Sequence, residues 1–431
     1  MNNNKLYFIS LGCDKNKVDS EKILDFFINK KHCIVVDDVK KADIAIVNTC
    51  SFIEDAKLES IDAIKELYEY KKQGKLKKIY VYGCLAKEFK LAKENNSEIS
   101  FNLEDYADDI KYFDDYLYNL DMTKERAMDI LSYSSSIKIS DGCNKNCSYC
   151  IIPKLRGKLH SNSIENIYDE AKFLAENGTT ELNIVSQDTL SYGVDLYKKK
   201  KIIDLLDKLS NIDSIKWIRL LYCYPESIDD EIIDFISKND KILNYIDMPI
   251  QHINNRVLKL MNRPTTKESI IKLIDKLRNK IPNVCLRTTV MVGFPSETDK
   301  EFDELINFLK DIKFDKLGCF KYSDEKLNES HNFAGQISED VKIHRREILL
   351  EEQYNIIKTV NKKEIGNVYE VLVEGYDSSK KMYVSRNYKN ARDIDDLIYF
   401  KSSDEIISGE YKKVKITKSL DYDLIGDIYE D

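Results

Sequence analysis

The run Ile139–Pro153, ISDGCNKNCSYCIIP, decides how the rest of the chain is read. It sets Cys143, Cys147 and Cys150 at a C-x3-C-x2-C spacing directly after a strand-like run, SIKIS, and three thiolates on one short loop can converge on one centre. Three ligands on a 4Fe-4S cube leave one iron without a protein ligand, which is what a cluster needs if it is to bind and reduce something rather than only pass electrons. Gly142 lets the backbone fold tightly towards such a cluster, and Tyr149 puts an aromatic ring beside the last thiolate to limit water access. A zinc site or a plain electron-transfer cluster would want a fourth ligand nearby; the nearest histidine, His160, is ten residues past Cys150 with Lys, Arg and Pro between.

Working outward, SIKIS opens a series of six strand-like runs, continued by ELNIVSQ, WIRLLYCY, YIDMPIQ, VCLRTTVMVGF and KLGCFKYS, with amphipathic segments such as Asn166–Asn177 between them. Six such units over residues 133–360 predict an α/β fold, a partial parallel (β/α)6 barrel, whose chemistry belongs in the loops after the strands. All six prolines fall in this region, three of them just after a strand run. Ahead of it, KLYFIS, a helix from about Asp19 to Lys30, CIVV, DIAIVN, a helix from about Glu54 to Lys72, and KIYVYG predict a smaller parallel α/β domain over residues 1–120. The acidic stretch Ser97–Ile130 carries no clear strand and is expected to be a helical tail plus linker, the linker at 121–132. After about Lys363, short alternating runs predict a small all-β barrel over residues 361–431.

The amino-terminal domain holds a second set of cysteines. Cys13, Cys50 and Cys84 are 37 and 34 residues apart, so no compact motif exists, yet each stands at the carboxyl end of an apolar strand run. In an open parallel sheet those ends share one edge, where ligands bind, so three thiolates could meet there; scattered core cysteines are the alternative. Gly12 and Gly83 precede two of them and allow close backbone approach. The remaining cysteines, Cys33, Cys223, Cys285 and Cys319, lie in or beside strand runs without partners at ligand spacing and read as core residues.

Composition narrows the partners. The 431 residues suit two or three domains, and only 20 are Gly or Pro while 42% are hydrophobic, which excludes extensive disorder. A formal charge of −8, with −3 on residues 361–431, argues against a main grip on nucleic-acid phosphates or anionic membrane and favours a basic partner. No apolar run approaches the roughly 18 residues that span a bilayer. The start, MNNNKLYFISLGC, lacks the pattern of a signal peptide, so a cytoplasmic protein is expected, in which sparse thiols persist as core, metal-binding or catalytic groups.

The cysteine loop, the strand before it and the six βα units resemble the radical S-adenosylmethionine (SAM) superfamily. That resemblance implies an open iron that chelates the cofactor, whose one-electron cleavage gives a 5′-deoxyadenosyl radical able to take hydrogen from carbons no side-chain base could deprotonate. Together with Cys13, Cys50, Cys84 and the terminal barrel, nearly the whole chain is similar to the methylthiotransferase family. The family implies a second 4Fe-4S cluster on the amino-terminal cysteines, a second SAM molecule as methyl donor, an external electron donor, a sulfur donor and a TRAM-like terminal barrel.

For a cofactor over the carboxyl ends of the strands, the candidate holding residues are Gln187 and Asp188 after NIVS, Arg219 in WIRLLYCYP, Gln251 before His252, and Arg287 and Gly293 in RTTVMVGFPSET. A guanidinium suits the methionyl carboxylate, and amides or carboxylates suit ribose hydroxyls and the ammonium. Arg219 and Arg287 could equally be buried ion-pair members, Gly293 serves a tight turn and approach to adenine, and His252 reads as a hydrogen-bonding wall residue. The lysine run YKKKKI, residues 197–202, reads as a solvated face.

The strings SLGCDKNKVDSE, QDTLSYGVD, MPIQH, LKLMNRP and GFPSET are similar to the branch of the family that modifies an aspartate of the small-subunit ribosomal protein uS12; Asp14 departs from it, where proline is usual. The resemblance implies sulfur methylated at the amino-terminal cluster, hydrogen removed from the aspartate β-carbon, and transfer of the methylthio group to that carbon. The substrate would be uS12, free or within the subunit. A methylthiotransferase for an adenosine in tRNA is the alternative enzyme, and a two-cluster electron carrier or scaffold the alternative of another class.

Overall fold

The computed structural model describes residues 4–95, 99, 101–112, 126–127 and 133–430. The amino-terminal unit runs β1 (Lys5–Ser10), α1 (Asp14–Asp25), β2 (Ile34–Val35), β3 (Ile44–Thr49), α2 (Glu54–Lys72), β4 (Lys78–Gly83), α3 (Cys84–Glu94) and β5 (Asp109–Ile110). Its sheet is all parallel in the order β2-β1-β3-β4-β5. β3 is buried along its whole length, as a central strand covered on both faces must be, and its apolar IAIV run supplies that burial.

Three details depart from the sequence reading. Helix α1 begins at Asp14, about five residues earlier than expected, because its buried face is polar: Lys15, Asn16, Asp19, Lys22 and Asp25 are all buried, and a face that packs through ion pairs leaves no apolar period to read. The CIVV strand shrinks to Ile34–Val35 at an exposed edge. The stretch expected to be strandless carries β5, two residues that extend the sheet beside β4, after the helix α3, which had not been anticipated. Of the expected linker at 121–132, only Arg126 and Ala127 lie within the described residues.

The central unit opens with β6 (Ser134–Lys138), and the pair β7 (Ser140–Asp141) and β8 (His160–Ser161) brackets the cysteine loop, with a short helix, α4 (Ile152–Leu155), after the last cysteine. Then follow α5 (Ile164–Glu176), β9 (Glu181–Val185), α6 (Ile202–Ser210), β10 (Trp217–Leu220), α7 (Asp230–Lys238), β11 (Ile242–Asp247), α8 (Lys267–Lys280), β12 (Cys285–Val292), α9 (Asp299–Ile312), β13 (Lys316–Lys321) and the long α10 (Glu339–Glu364). The six strands form one parallel sheet in the order β13-β12-β11-β10-β9-β6, the expected partial (β/α)6 barrel. Leu182, Ile184, Ile218, Leu220, Ile246 and Leu286 pack beneath the outer helices, each burial worth about 1.5–3 kcal/mol.

The carboxyl-terminal unit is a closed five-stranded barrel of β14 (Val368–Asp377), β15 (Met382–Arg386), β16 (Ile398–Lys401), β17 (Tyr411–Ser419) and β18 (Leu424–Ile428), in the order β14-β15-β16-β18-β17. Helix α10 runs past position 361, where the sequence reading starts this unit, and Asn361 donates to the Tyr422 carbonyl at 2.7 Å. A buried ion-pair seam fixes the barrel to the core: Glu181 accepts from both Arg219 and Arg386, and Arg386 also reaches Glu374. Burial alone would raise Glu181, but the two guanidiniums hold it down at about 2. Among the described residues no helix is long and apolar enough to cross a membrane.

Candidate active site

Register places the amino-terminal cysteines. β1, β3 and β4 are adjacent and parallel, Ser10 lies opposite Asn48 and Thr49 opposite Gly83, so Cys13, Cys50 and Cys84 leave the sheet at neighbouring strand ends. Asn16 staples two of these ends by donating to the carbonyls of Leu11 and Thr49, each at 2.9 Å, while Asn48 donates back to the Asn16 carbonyl at 3.0 Å. The glycines are required by contact. A Cβ on Gly12 (φ +90°) would lie 2.9 Å from the Cys50 Cβ, and one on Gly83 (φ +96°) would lie 2.3 Å from the Thr49 carbonyl oxygen.

The three thiols feel one another. Burial and then the neighbouring Cys84 push Cys50 up to about 12, with Cys13 adding to it; burial raises Cys84, against which Arg156 pulls down. Cys13 is exposed and the other two are buried, so the trio has one open side. Crowded thiols that oppose each other's ionisation are relieved by a cation that takes their charge, which fits a metal cluster.

The loop after β7 is built with comparable care. The Cys143 N–H donates to the Gly157 carbonyl at 3.1 Å, Ser148 donates through both its N–H and its hydroxyl to the carbonyls of Met261 and Leu260, and a Cβ on Gly142 would strike the Lys158 carbonyl oxygen at 2.2 Å. Burial lifts Cys150 to about 12, with Cys147 and Cys143 adding to it, and lifts Cys143 to about 11, where Asp188 also contributes. Among the described residues no three His, Cys, Asp or Glu side chains converge as a single-ion site; a cube takes its thiolates on separate irons, so its ligands need no common point.

The other expected pocket residues divide. Gln187 donates to Asp141 at 2.7 Å and leaves its buried carbonyl oxygen without a partner; Asp188, 2% exposed, bonds Ser191 through one oxygen and leaves the other unpartnered. Gln251 sits at φ +69°, its backbone bridged to Thr289 and Met291 on β12. The two arginines go elsewhere. Arg219 is fully buried with its three nitrogens on Glu181 and the Tyr388 carbonyl, and Arg287 pairs with Asp247 and, across the seam, Asp395. Both are ion-pair members rather than free guanidiniums over the cysteine loop. Gly293 (φ +75°) makes the expected turn and also makes room for Lys342 of α10: a Cβ there would meet the Lys342 stem at 2.4 Å, and its N–H donates to Glu297. His252 is a wall residue, accepting from the Asn254 N–H at 3.0 Å. The four remaining cysteines are buried in hydrophobic clusters.

Two groups went unread in the sequence. Arg263, 4% exposed, stacks 4.4 Å from the Tyr224 ring centroid and bonds Glu226 and the Pro249 carbonyl, while its Nε and Nη1 are buried without a partner. It lies close enough to Cys147 and Cys150 to act on their charge. The arginine of MNRP was its only trace. The second group is a buried seam between the first two units: Arg156 pairs with Asp19 at 2.8 Å and Asp141 at 2.9 Å, and donates to Cys84 Sγ at 3.6 Å, while Lys138 pairs with the same two aspartates. Asp141 in turn holds Gln187.

This arrangement defines a radical SAM protein: its central residues 137–309 match the Radical SAM superfamily, flanked by matches to Uncharacterized protein family UPF0004 over residues 5–101 and to the TRAM domain over residues 365–428. In fold it is similar to the radical SAM methyltransferase TsrM of Kitasatospora setae, with a TM-score of 0.53 at 14% identity over 74% of this chain and 75% of that one. Sequence similarity goes much further. The chain is 46% identical to the ribosomal protein uS12 methylthiotransferase RimO of Clostridium novyi, over 99% of this chain and 98% of the relative, and 43% identical to that of Clostridioides difficile, over 98% of each. It belongs to the RimO family.

Proposed function

We propose that the protein transfers a methylthio group to the β-carbon of an aspartate in the small-subunit ribosomal protein uS12. Family membership over the whole chain supports the reaction. The observation that carries it to these residues is the contact of Arg156 with Cys84 Sγ, because Arg156 follows Cys150 by six residues and so ties the two cysteine trios into one site. When bound, a 4Fe-4S cluster with SAM supplies hydrogen-atom abstraction from unactivated carbon, and a second 4Fe-4S cluster supplies sulfur.

Cys143, Cys147 and Cys150 would hold the first cluster and Cys13, Cys50 and Cys84 the second. Gln187 and Asp188, which follow β9 with unpartnered buried oxygens, Asp188 near enough to act on Cys143, suit the ammonium and hydroxyls of SAM, and the two unpartnered nitrogens of Arg263 suit its carboxylate in place of Arg219 and Arg287. Gln251, held by its strained backbone, would line the same mouth. Residues 1–120, 133–360 and 361–431 would then be sulfur-carrying, radical-forming and docking units, with an external electron donor and a sulfur donor acting from outside. The charge of −8 favours basic uS12, free or in the subunit, over tRNA.

The test is intact-mass analysis of uS12 after anaerobic incubation with reconstituted enzyme, SAM, sulfide and reductant, beside a tRNA digest. A gain of about 46 Da on uS12, the replacement of hydrogen by a methylthio group, is expected. The same gain on a tRNA adenosine instead would overturn the substrate.

A further inference from the structure

Buried cations in this molecule come with carboxylates. Among the described residues Lys22 has Glu170, Lys138 has Asp19 and Asp141, Lys316 has Asp396, Lys342 has Glu339, and each buried arginine has at least one acid, often shared, as Arg219 and Arg386 share Glu181. Lys15 is the exception. It is 8% exposed, yet among the described residues no carboxylate lies within 4.0 Å of its ammonium, which sits 3.3 Å from the centroid of the Tyr222 ring and hydrogen-bonds that side chain, with Cys13 and Asp14 acting on it from further off. A ring face repays only part of the cost of burying an ammonium, so an anion at this place would be bound strongly.

The setting narrows that anion. Lys15 is two residues past Cys13 and stands in the first turn of α1, while Tyr222 follows β10 at the mouth of the partial barrel, so their contact spans the gap between the two units. Tyr222 is held at φ +61°, which a bulky aromatic residue adopts only under constraint, with its N–H on Asp247 at 2.9 Å and its carbonyl accepting from the Thr189 N–H at 3.3 Å. A small cleft lined by the charged side chains of Asp14, Lys17, Glu21, Arg392 and Asp393, with Leu221, opens where all three units meet, next along the chain to both Lys15 and Tyr222.

We propose that Lys15, backed by Tyr222, receives the side-chain carboxylate of the substrate aspartate and so selects an acidic residue over a nucleoside. The inference rests on the aspartate reading above. A carboxylate on Lys15 places the β-carbon, one bond away, beside the open side of the amino-terminal trio, where Cys13 is exposed. Adenosine offers no such anion.

The experiment compares reconstituted wild-type enzyme with Lys15→Met and Lys15→Arg, on uS12 and on uS12 whose target aspartate is replaced by asparagine. Iron and sulfide per chain and 5′-deoxyadenosine released without uS12 are measured alongside. Lys15→Met is expected to lower kcat/KM on native uS12 about 100-fold, as loss of one partner of a buried charged pair does, and to bring the ratio of aspartate to asparagine substrate close to one. Lys15→Arg is expected to keep most of that ratio. An unchanged ratio in Lys15→Met overturns the proposal, and so does a parallel loss of 5′-deoxyadenosine, which would put the cofactor's own carboxylate on Lys15. Loss of iron from both variants would make Lys15 a structural residue and equally overturn it. A wild-type enzyme that leaves uS12 unmodified overturns the aspartate reading itself, whatever the variants do.

Discussion

The two cysteine trios reach similar ends by opposite construction. Cys143, Cys147 and Cys150 lie within eight residues, fixed by a loop whose own backbone turns and Gly142 bring them together. Cys13, Cys50 and Cys84 span 72 residues and meet only because three parallel strands end side by side. A local loop can hold its ligands whatever happens elsewhere, whereas a site made of strand ends fails when the sheet or its covering seam fails. Arg156 joins the two: it stands on the chain just past the local trio and reaches into the dispersed one.

The largest expected effect separates the trios by readout. Cys147→Ala should abolish both the methylthio product and 5′-deoxyadenosine, while Cys50→Ala should abolish the product and leave 5′-deoxyadenosine forming; quantifying both small molecules and the uS12 mass checks this. Identical behaviour of the two variants would remove the distinction between the sites.

Arg156→Gln attacks the junction. It leaves Asp19 and Asp141 with Lys138 alone in a buried place, so a loss of about 3–5 kcal/mol is expected in chemical denaturation, with iron lost from the dispersed trio before the local one. Iron lost first from the local trio would invert the comparison.

The barrel seam touches neither trio and sharpens the contrast from outside. Glu181→Gln strips Arg219 of its carboxylate and should cost about 3 kcal/mol with iron content unchanged. Glu181 is depressed from its ordinary 4.5 to about 2, so the stability it lends is complete above about pH 4.5 and is lost as pH falls towards 2. Acid unfolding followed by circular dichroism should therefore be shallower over that window in Glu181→Gln. The smallest effect is Cys285→Ala, a fully buried thiol outside both trios, which should cost about 1 kcal/mol and leave iron and product as they were.

Legibility in the sequence followed the same division. The six strand runs and the terminal barrel are patterns of spacing and period, and both fold as those patterns predict, the barrel's first strand starting at Val368 once α10 has run past position 361. The start of α1 and the seams were unread because they are polar: Asp19, Arg156, Glu181 and Arg386 look like surface charges in a sequence, and only tertiary pairing buries them. Arg219 and Arg287 stay open between cofactor contact and buried ion pair in the sequence for that reason, since an arginine on a strand carries no mark of which side of the sheet supplies its acid; the structure pairs both with carboxylates. Arg263 and Lys15 carry no mark in the sequence for the converse reason, a buried cation being notable only once its neighbours are seen: two unpartnered nitrogens on Arg263, and an aromatic ring in place of an acid at Lys15.

The most direct test of two cooperating sites is iron and sulfide analysis, with electron paramagnetic resonance, of anaerobically reconstituted wild-type protein beside a chain in which Cys13, Cys50 and Cys84 are all alanine. About eight iron atoms per wild-type chain are predicted, and about four in the variant, with the reduced-cluster signal of the local trio intact. Four in both, or none in the variant, would contradict a second cluster held independently at the strand ends.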